Sequence, residues 1–291
     1  MKKCLVTVLP LVWIVFLLTG NLHAQISIKD IRSGTDLVEV NSISTGVSNV
    51  YITDSLSRNS LGISDVNKAT VLHTASFEIA LNIENVQNIL KVLYSSMQGQ
   101  SLSNITFKKL NATNQVVEQR NYSPVTVKEI VFPGLDAVSK EPARARITIQ
   151  GQNLSFDNKG YGTSKNSHSK TATINAFAIL IDGMTTNWIS RISSLRIVPA
   201  SEREYLFFSL EFLKEDIMQW YDWLNTVYTT ATGSPVPRNV SIKLTNQTMK
   251  NDMVYIELPQ VEIVSISSSN DPNSIPKTTV LLRTTQNPVI N

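Results

Sequence analysis

Apolar residues along this chain recur with two different periods, and the change from one period to the other happens twice in the same order. Val86, Ile89, Leu90, Leu93 and Met97 fall three and four apart, which predicts the buried face of a helix. Gln98-Gly99-Gln100 predicts its end, because glycine takes the left-handed cap conformation at little cost. Ile105 and Phe107 then alternate as a strand. Val125, Val127, Ile130 and Phe132 are apolar around Lys128 and Glu129, which predicts a strand interrupted by a bulge. Ala145, Ile147 and Ile149 alternate with Arg144, Arg146 and Thr148 as a further strand.

The second pass begins with Leu213, Ile217, Trp220, Tyr221, Leu224 and Tyr228, read as one helix face, with Glu215 and Asp216 in its first turn, where the helix dipole favours negative charge. Trp223 lies off this stripe and is read as packing against a neighbouring strand. Gly233-Ser234-Pro235 breaks the helix, and Val240, Ile242 and Leu244 alternate as a strand. Val254–Leu258 and Val261–Ile266 predict another, bent at Pro259, and Thr279–Arg283 closes the series. The two passes align as copies of one unit, Phe77–Gln150 and Phe208–Thr284. Asn104-Ile105-Thr106 matches Asn239-Val240-Ser241, Phe132-Pro133 matches Leu258-Pro259, and the strand led by Pro142 matches the one led by Pro276.

The fold class expected is mainly β with one helix per unit, as two tandem barrel or sandwich domains. Residues 25–154 form the first and 174–291 the second, joined by the polar, glycine-containing stretch 155–173 as a linker or long hairpin loop. Residues 25–75 are less legible. Ile26-Ser27-Ile28 and Val38-Glu39-Val40 alternate like strands, but the polar run at 54–60 leaves open whether this region begins the first domain or is an appended arm. Phe177–Gly183 reads as an apolar strand ending in an Asp-Gly turn, and Trp188–Val198 follows with mixed alternation.

Residues 1–24 read as a cleaved signal peptide. Lys2 and Lys3 precede an uncharged run from Cys4 to Leu18, too short to span a bilayer, and Leu22-His23-Ala24 before Gln25 suits the cleavage point. The expected destination is outside the cytoplasm. The chain's one cysteine, Cys4, lies in this segment, so disulfides do not hold the domains. Removing Lys2 and Lys3 takes the formal charge from +3 to +1. That balance gives no electrostatic case for nucleic acid or for an acidic membrane surface as partner.

Candidate chemistry is sparse. His73 and His168 sit in polar text without triad or zinc spacing, which favours surface or locally hydrogen-bonded roles. Gly160-Tyr161-Gly162 with Lys159 and Lys165 faintly suggests a phosphate loop. It lacks the closing Gly-Lys-Ser/Thr and a following helix, so a flexible linker is the reading kept. Glu257 with Glu262, or Asp216 with Asp222, would need a measured separation to count as acid–base pairs. Arg144 and Arg146 share one side of a strand and read as an edge-protecting solvent face. Six Asn-x-Ser/Thr sequons, at Asn104, Asn111, Asn121, Asn153, Asn239 and Asn246, match the Asn-, Ser- and Thr-rich composition. The expectation is a non-enzyme with no catalytic, cofactor-binding or metal-ligating residues and no cofactor.

The order of elements resembles the tail-tube superfamily, the tube proteins of contractile phages and the Hcp tube protein of type VI secretion. Asp216–Leu224, Arg238–Leu244, Tyr255–Ser265 and Thr279–Arg283 follow that family's order of helix and strands, and Phe177–Gly183 is similar to its opening strand. Residues 175–285 carry the likeness well and 75–150 less well. The resemblance implies single-domain members that form six-membered rings stacked into tubes. Two fused units would then close a pseudo-sixfold ring from three chains, making the expected partner a second copy of this chain, or other tube or surface proteins. Such tubes assemble in the cytoplasm from proteins without a leader, so the resemblance implies either an exported relative of the family or a reuse of its fold. The alternative is a secreted monomeric adhesin or carbohydrate-binding β-sandwich protein.

Overall fold

Alternating apolar and polar residues put one face of each strand into a core and leave the other to water. In the computed structural model nearly every such run is indeed a strand. Residues 25–26, 36–58, 69–81, 86–157, 161–163, 173–202, 205–213, 217–230, 233–245, 252–269 and 276–290 are described.

The first half contains β1 (Gln25–Ile26), β2 (Asp36–Val40), β3 (Ile43–Arg58), β4 (Ala69–Ala80), helix α1 (Val86–Met97), β5 (Ile105–Leu110), β6 (Gln115–Phe132), β7 (Leu135–Asp136), β8 (Arg144–Asp157) and β9 (Tyr161–Thr163). The second half contains β10 (Phe177–Ile181), β11 (Ile189–Ile192), β12 (Leu195–Ile197), β13 (Leu206–Leu213), helix α2 (Ile217–Asn225), β14 (Arg238–Thr245), β15 (Asp252–Ser269), β16 (Lys277–Thr284) and β17 (Val289–Ile290).

Six strands of the first half run in the order β3-β2-β5-β6-β8-β4, and β4 pairs back onto β3, so the sheet closes into a barrel. The second half repeats that order. Its path β11-β13-β16-β15-β14-β10 follows the same circuit, with β10 in the place of β2 and β11 in the place of β3. The difference is closure: no ladder joins β10 to β11 among the described residues, so the second barrel stays open on that side. The duplication read from the sequence is therefore present in the topology, and the unit is longer than the text suggested. It begins at β2 and β10, ahead of Phe77 and Phe208.

Residues 36–58 belong to the first barrel and do not form an arm. Asn41 and Ser42, both at positive φ (48° and 67°), make the two-residue turn between β2 and β3. The polar run at 54–58 lies inside β3, paired with β4, because a barrel strand needs apolar residues on one face only. Strand also continues past the expected domain boundary at 154. β8 extends to Asp157 against Gln119, and β9 pairs with Gln115 and Val116, so part of the segment read as linker is sheet.

The proline alignment changes as well. Pro133 follows the end of β6, whereas Pro259 sits inside β15 at its bend, where Gln260 has φ 52°. In β6 the irregularity is the bulge between Val127 and Glu129 that the sequence predicts, and Pro124, after a cis peptide, lies within the regular ladder to β8. The equivalence set by register is Glu129-Ile130 with Glu262-Ile263, since Ile130 faces Ile147 as Ile263 faces Leu282. Val131, opposite Arg146, then corresponds to Ser265, opposite Leu281, and Val264 is the extra residue of a bulge.

Helix α1 buries Val86, Ile89, Leu90, Leu93 and Met97, the predicted stripe, and Gly99 caps it at φ 96°. Helix α2 departs from expectation. Leu213 ends β13, Tyr221 is 39% and Tyr228 85% exposed, and Trp223 joins Trp220 in the interior. The rings of Phe212 and Trp220 stack at 5.0 Å, and the Trp223 indole N–H donates to the Val236 carbonyl at 2.7 Å. Rotating the helix to bury two indoles leaves the tyrosine hydroxyls in water, where they need no partner from the protein. Glu215 and Asp216 lie outside the described residues.

Candidate functional site

The two barrels are joined by an exchange of strands. β12, from the second half, pairs with β6 of the first, Leu195–Phe132, Arg196–Val131 and Ile197–Ile130. β7, from the first half, pairs with β11 of the second, Arg191–Asp136 and Ile192–Leu135. Leu195 and Ile197 are buried in the joint, while Arg196 stays exposed and its guanidinium binds the Glu129 carboxylate. The C-terminal strand returns to α1: the Tyr94 hydroxyl donates to the Pro288 carbonyl, and Asn287 Nδ2 donates to Gln98 Oε1 at 2.8 Å. One contiguous buried cluster runs through both barrels, from Val38 to Ile290.

The corresponding part of β15 is uncovered. Glu262–Ser269 pairs with β16 on one side, and no strand among the described residues pairs with the other. β14 leaves β15 at Val261, paired with Arg238, because the residues before it include Pro235 and Pro237, which have no N–H to donate to a ladder. Val264 is 38% exposed there, and Ser265, Ser267, Ser268 and Ser269 are exposed too.

Beside this edge is a polar depression of about 160 Å³ lined by Tyr205, Gln260, Glu262, Arg283 and Gln286 among others. Arg283 donates from Nε and Nη2 to Glu262 Oε2 at 3.1 and 3.0 Å and lies over the Tyr205 ring at 4.8 Å. The pair neutralises itself, and the depression is smaller than the several hundred Å³ typical of small-molecule sites. A second pocket, between Ile52, Phe107 and Arg120, holds about 30 Å³, room for water only.

The candidate chemistry disperses. His73 Nδ1 lies 2.8 Å from Asp54 Oδ1, a local hydrogen bond on the first barrel. Glu257 stands opposite Ser241 and Val289 on β15, while Glu262 is held by Arg283. Asp222 is exposed on α2. Tyr161 and Gly162 belong to strand β9, which corrects the flexible-linker reading at those residues. His168, Lys159, Gly160, Lys165 and Asp216 lie outside the described residues. Arg144 and Arg146 face outward but are not at an edge, since β8 has β4 and β6 on its two sides. Arg144 donates to Ser48, and Arg146 pairs with Glu78 at 3.2 Å. Among the described residues no group of three or more His, Cys, Asp or Glu is placed to hold a metal ion, and no helix is long and apolar enough to cross a membrane.

What the sequence did not reveal is the strand exchange. Leu195-Arg196-Ile197 is only three residues long, and its partner on β6 lies far upstream. The single available signal was the repeated Glu-Ile-Val at 129–131 and 262–264.

No protein-family model matches the chain, and no curated protein matches it. Among solved structures, it is similar to a chain in the cryo-EM structure of the anti-feeding prophage baseplate, 6-fold symmetrised. The identity is 17% and the TM-score 0.31, over 44% of this chain and 95% of that one.

Proposed function

We propose that this chain is an exported, non-enzymatic assembly subunit whose two barrels act as neighbouring units of a ring, three chains making a pseudo-sixfold circle. The observation that carries the reading is the repeated strand circuit joined by strand exchange. Two copies of one unit, placed side by side and stitched through their sheets, already form a unit-to-unit contact of the kind a ring would repeat. Such a contact is heterologous, so it closes when the rotation per unit divides a full turn. The tail-tube-like order of elements in the sequence supports the same reading, and the leader-like residues 1–24 support export.

The test is the solution mass of residues 25–291 by light scattering, with negative-stain images of the peak. A trimer of about 90 kDa showing rings is expected. A monomer at all concentrations would overturn the ring, and a monomer that binds glycans would establish the adhesin alternative. Substrate turnover abolished by one carboxylate substitution would overturn the non-enzymatic assignment.

A further inference from the structure

We propose that the open side of β15 at Glu262–Ser265 is the surface on which a second copy of this chain docks, by adding a strand as β12 is added to β6 within one chain. The inference rests on the ring reading and names its contact.

The two edges are equivalent by register at Glu129-Ile130 and Glu262-Ile263, and the sequence repeats through the following valine. Ile130 faces Ile147 and Ile263 faces Leu282, and each isoleucine lies in a Glu-Ile-Val triplet. On β6 the triplet is covered by β12, and Val131 is half-buried. On β15 the same triplet has no strand on that side among the described residues, and Val264 is exposed.

The bulge at Val264 lies inside the edge, whereas that of β6, at Lys128, lies ahead of the residues that β12 covers. An added strand would pair along Glu262-Ile263 and again from Ser265 onward, with Val264 as the extra residue between them. Apart from that bulge, the edge lacks the usual protection. From Val264 to Ser269 the text is Val-Ser-Ile-Ser-Ser-Ser, without a charge or a proline, whereas exposed edges are ordinarily blunted by lysine, proline or an inward charge. Glu262, which would be the one charge at its border, is turned to Arg283.

The occupant is a second copy of this chain because the joint between the barrels is already this contact. When the second barrel of one chain meets the first barrel of the next, the contact inside each chain is repeated between chains. Strand addition supplies main-chain hydrogen bonds, and the alternate side chains set the register.

The experiment compares the mature chain with Val264→Lys and Leu180→Lys. Leu180 is 54% exposed on β10, whose outer side is the rival open edge of the second barrel. Light scattering across a dilution series reads self-association, thermal melting confirms that each variant folds, and hydrogen exchange reads the backbone of residues 264–269. The expected result is an oligomer for the wild type, at least a tenfold weaker association for Val264→Lys, and no change for Leu180→Lys. Exchange at 264–269 should slow as protein concentration rises.

An oligomer that Val264→Lys leaves intact, with exchange at 264–269 independent of concentration, overturns the edge and leaves the ring standing. So does an oligomer broken by Leu180→Lys alone. A wild type that stays monomeric overturns both. If Val264→Lys fails to fold, Ser267→Lys on the same exposed edge replaces it, with the same outcomes.

Discussion

Tyr122 is fully buried, with its ring against Phe107, and its hydroxyl has no hydrogen-bond partner among the described residues. Burial pushes its pKa up to about 12; the Arg120 charge pulls the other way, and Asp54 adds to the rise. The folded protein therefore keeps a proton that the unfolded chain, with a tyrosine pKa of 10.0, gives up first. Stability is unaffected below about pH 10 and falls as pH rises from there to about 12, by about 1.4 kcal/mol per unit. Urea titrations of wild type and Tyr122→Phe across pH 8–12 should show the variant losing this part of the slope. At pH 7 the variant should be as stable or up to about 1 kcal/mol more stable, because an unpartnered buried hydroxyl is removed. Gly151, across the strand, shows how tightly the ring is held. A Cβ there would meet Tyr122 Cβ at 3.0 Å and Cδ1 at 3.1 Å, so Gly151→Ala should cost about 1–3 kcal/mol in the same assay. No sequence pattern marked either residue, since an isolated Tyr and Gly in polar text give no periodicity.

At the scale of elements, α1 and α2 differ in how well their text foretold them. In α1 the aliphatic residues leave one possible buried face, and the glycine after it has open space around its Cβ position, so its role is conformational alone. Gly99→Ala should therefore lower stability by about 1 kcal/mol, measured by thermal melting, without disturbing any neighbour. In α2 aromatic residues stand on both sides of Trp220, and the helical period alone could not choose between Tyr221 and Trp223. Packing chose, through the Phe212 stack and the Val236 carbonyl. Trp223→Ala should cost about 3–5 kcal/mol, against a much smaller loss for Tyr221→Ala, read from the same denaturation curves. Strands were legible wherever one face was apolar and another polar, as at Ala145–Ile149. They were not legible in the polar end of β3, whose partner β4 holds it by backbone pairing.

For the whole molecule, the sequence showed two copies and placed a linker between them. Copies are visible because each repeats its own local text, but the joint is made by pairs distant along the chain, and distant pairing leaves no local trace. The exchanged strands and the shared buried cluster make the halves thermodynamically dependent. Calorimetry of residues 25–291 should give one transition, with van't Hoff and calorimetric enthalpies equal. Two resolved transitions would show that the barrels unfold separately. Residues 25–157 alone, without β12, should be less stable than in the intact chain or remain unfolded, as read by circular dichroism.

The exchange also sets an order in time. The strand that covers Ile130–Phe132 is made roughly sixty residues after them. At about 5–20 residues per second, a nascent first half waits several seconds with that side bare. During that interval its own unfinished neighbours on a polysome are the nearest competitors for the same backbone. A slow stretch of translation between Phe132 and Leu195 would lengthen the wait, and a holding chaperone that shields extended chain would shorten the exposure that matters.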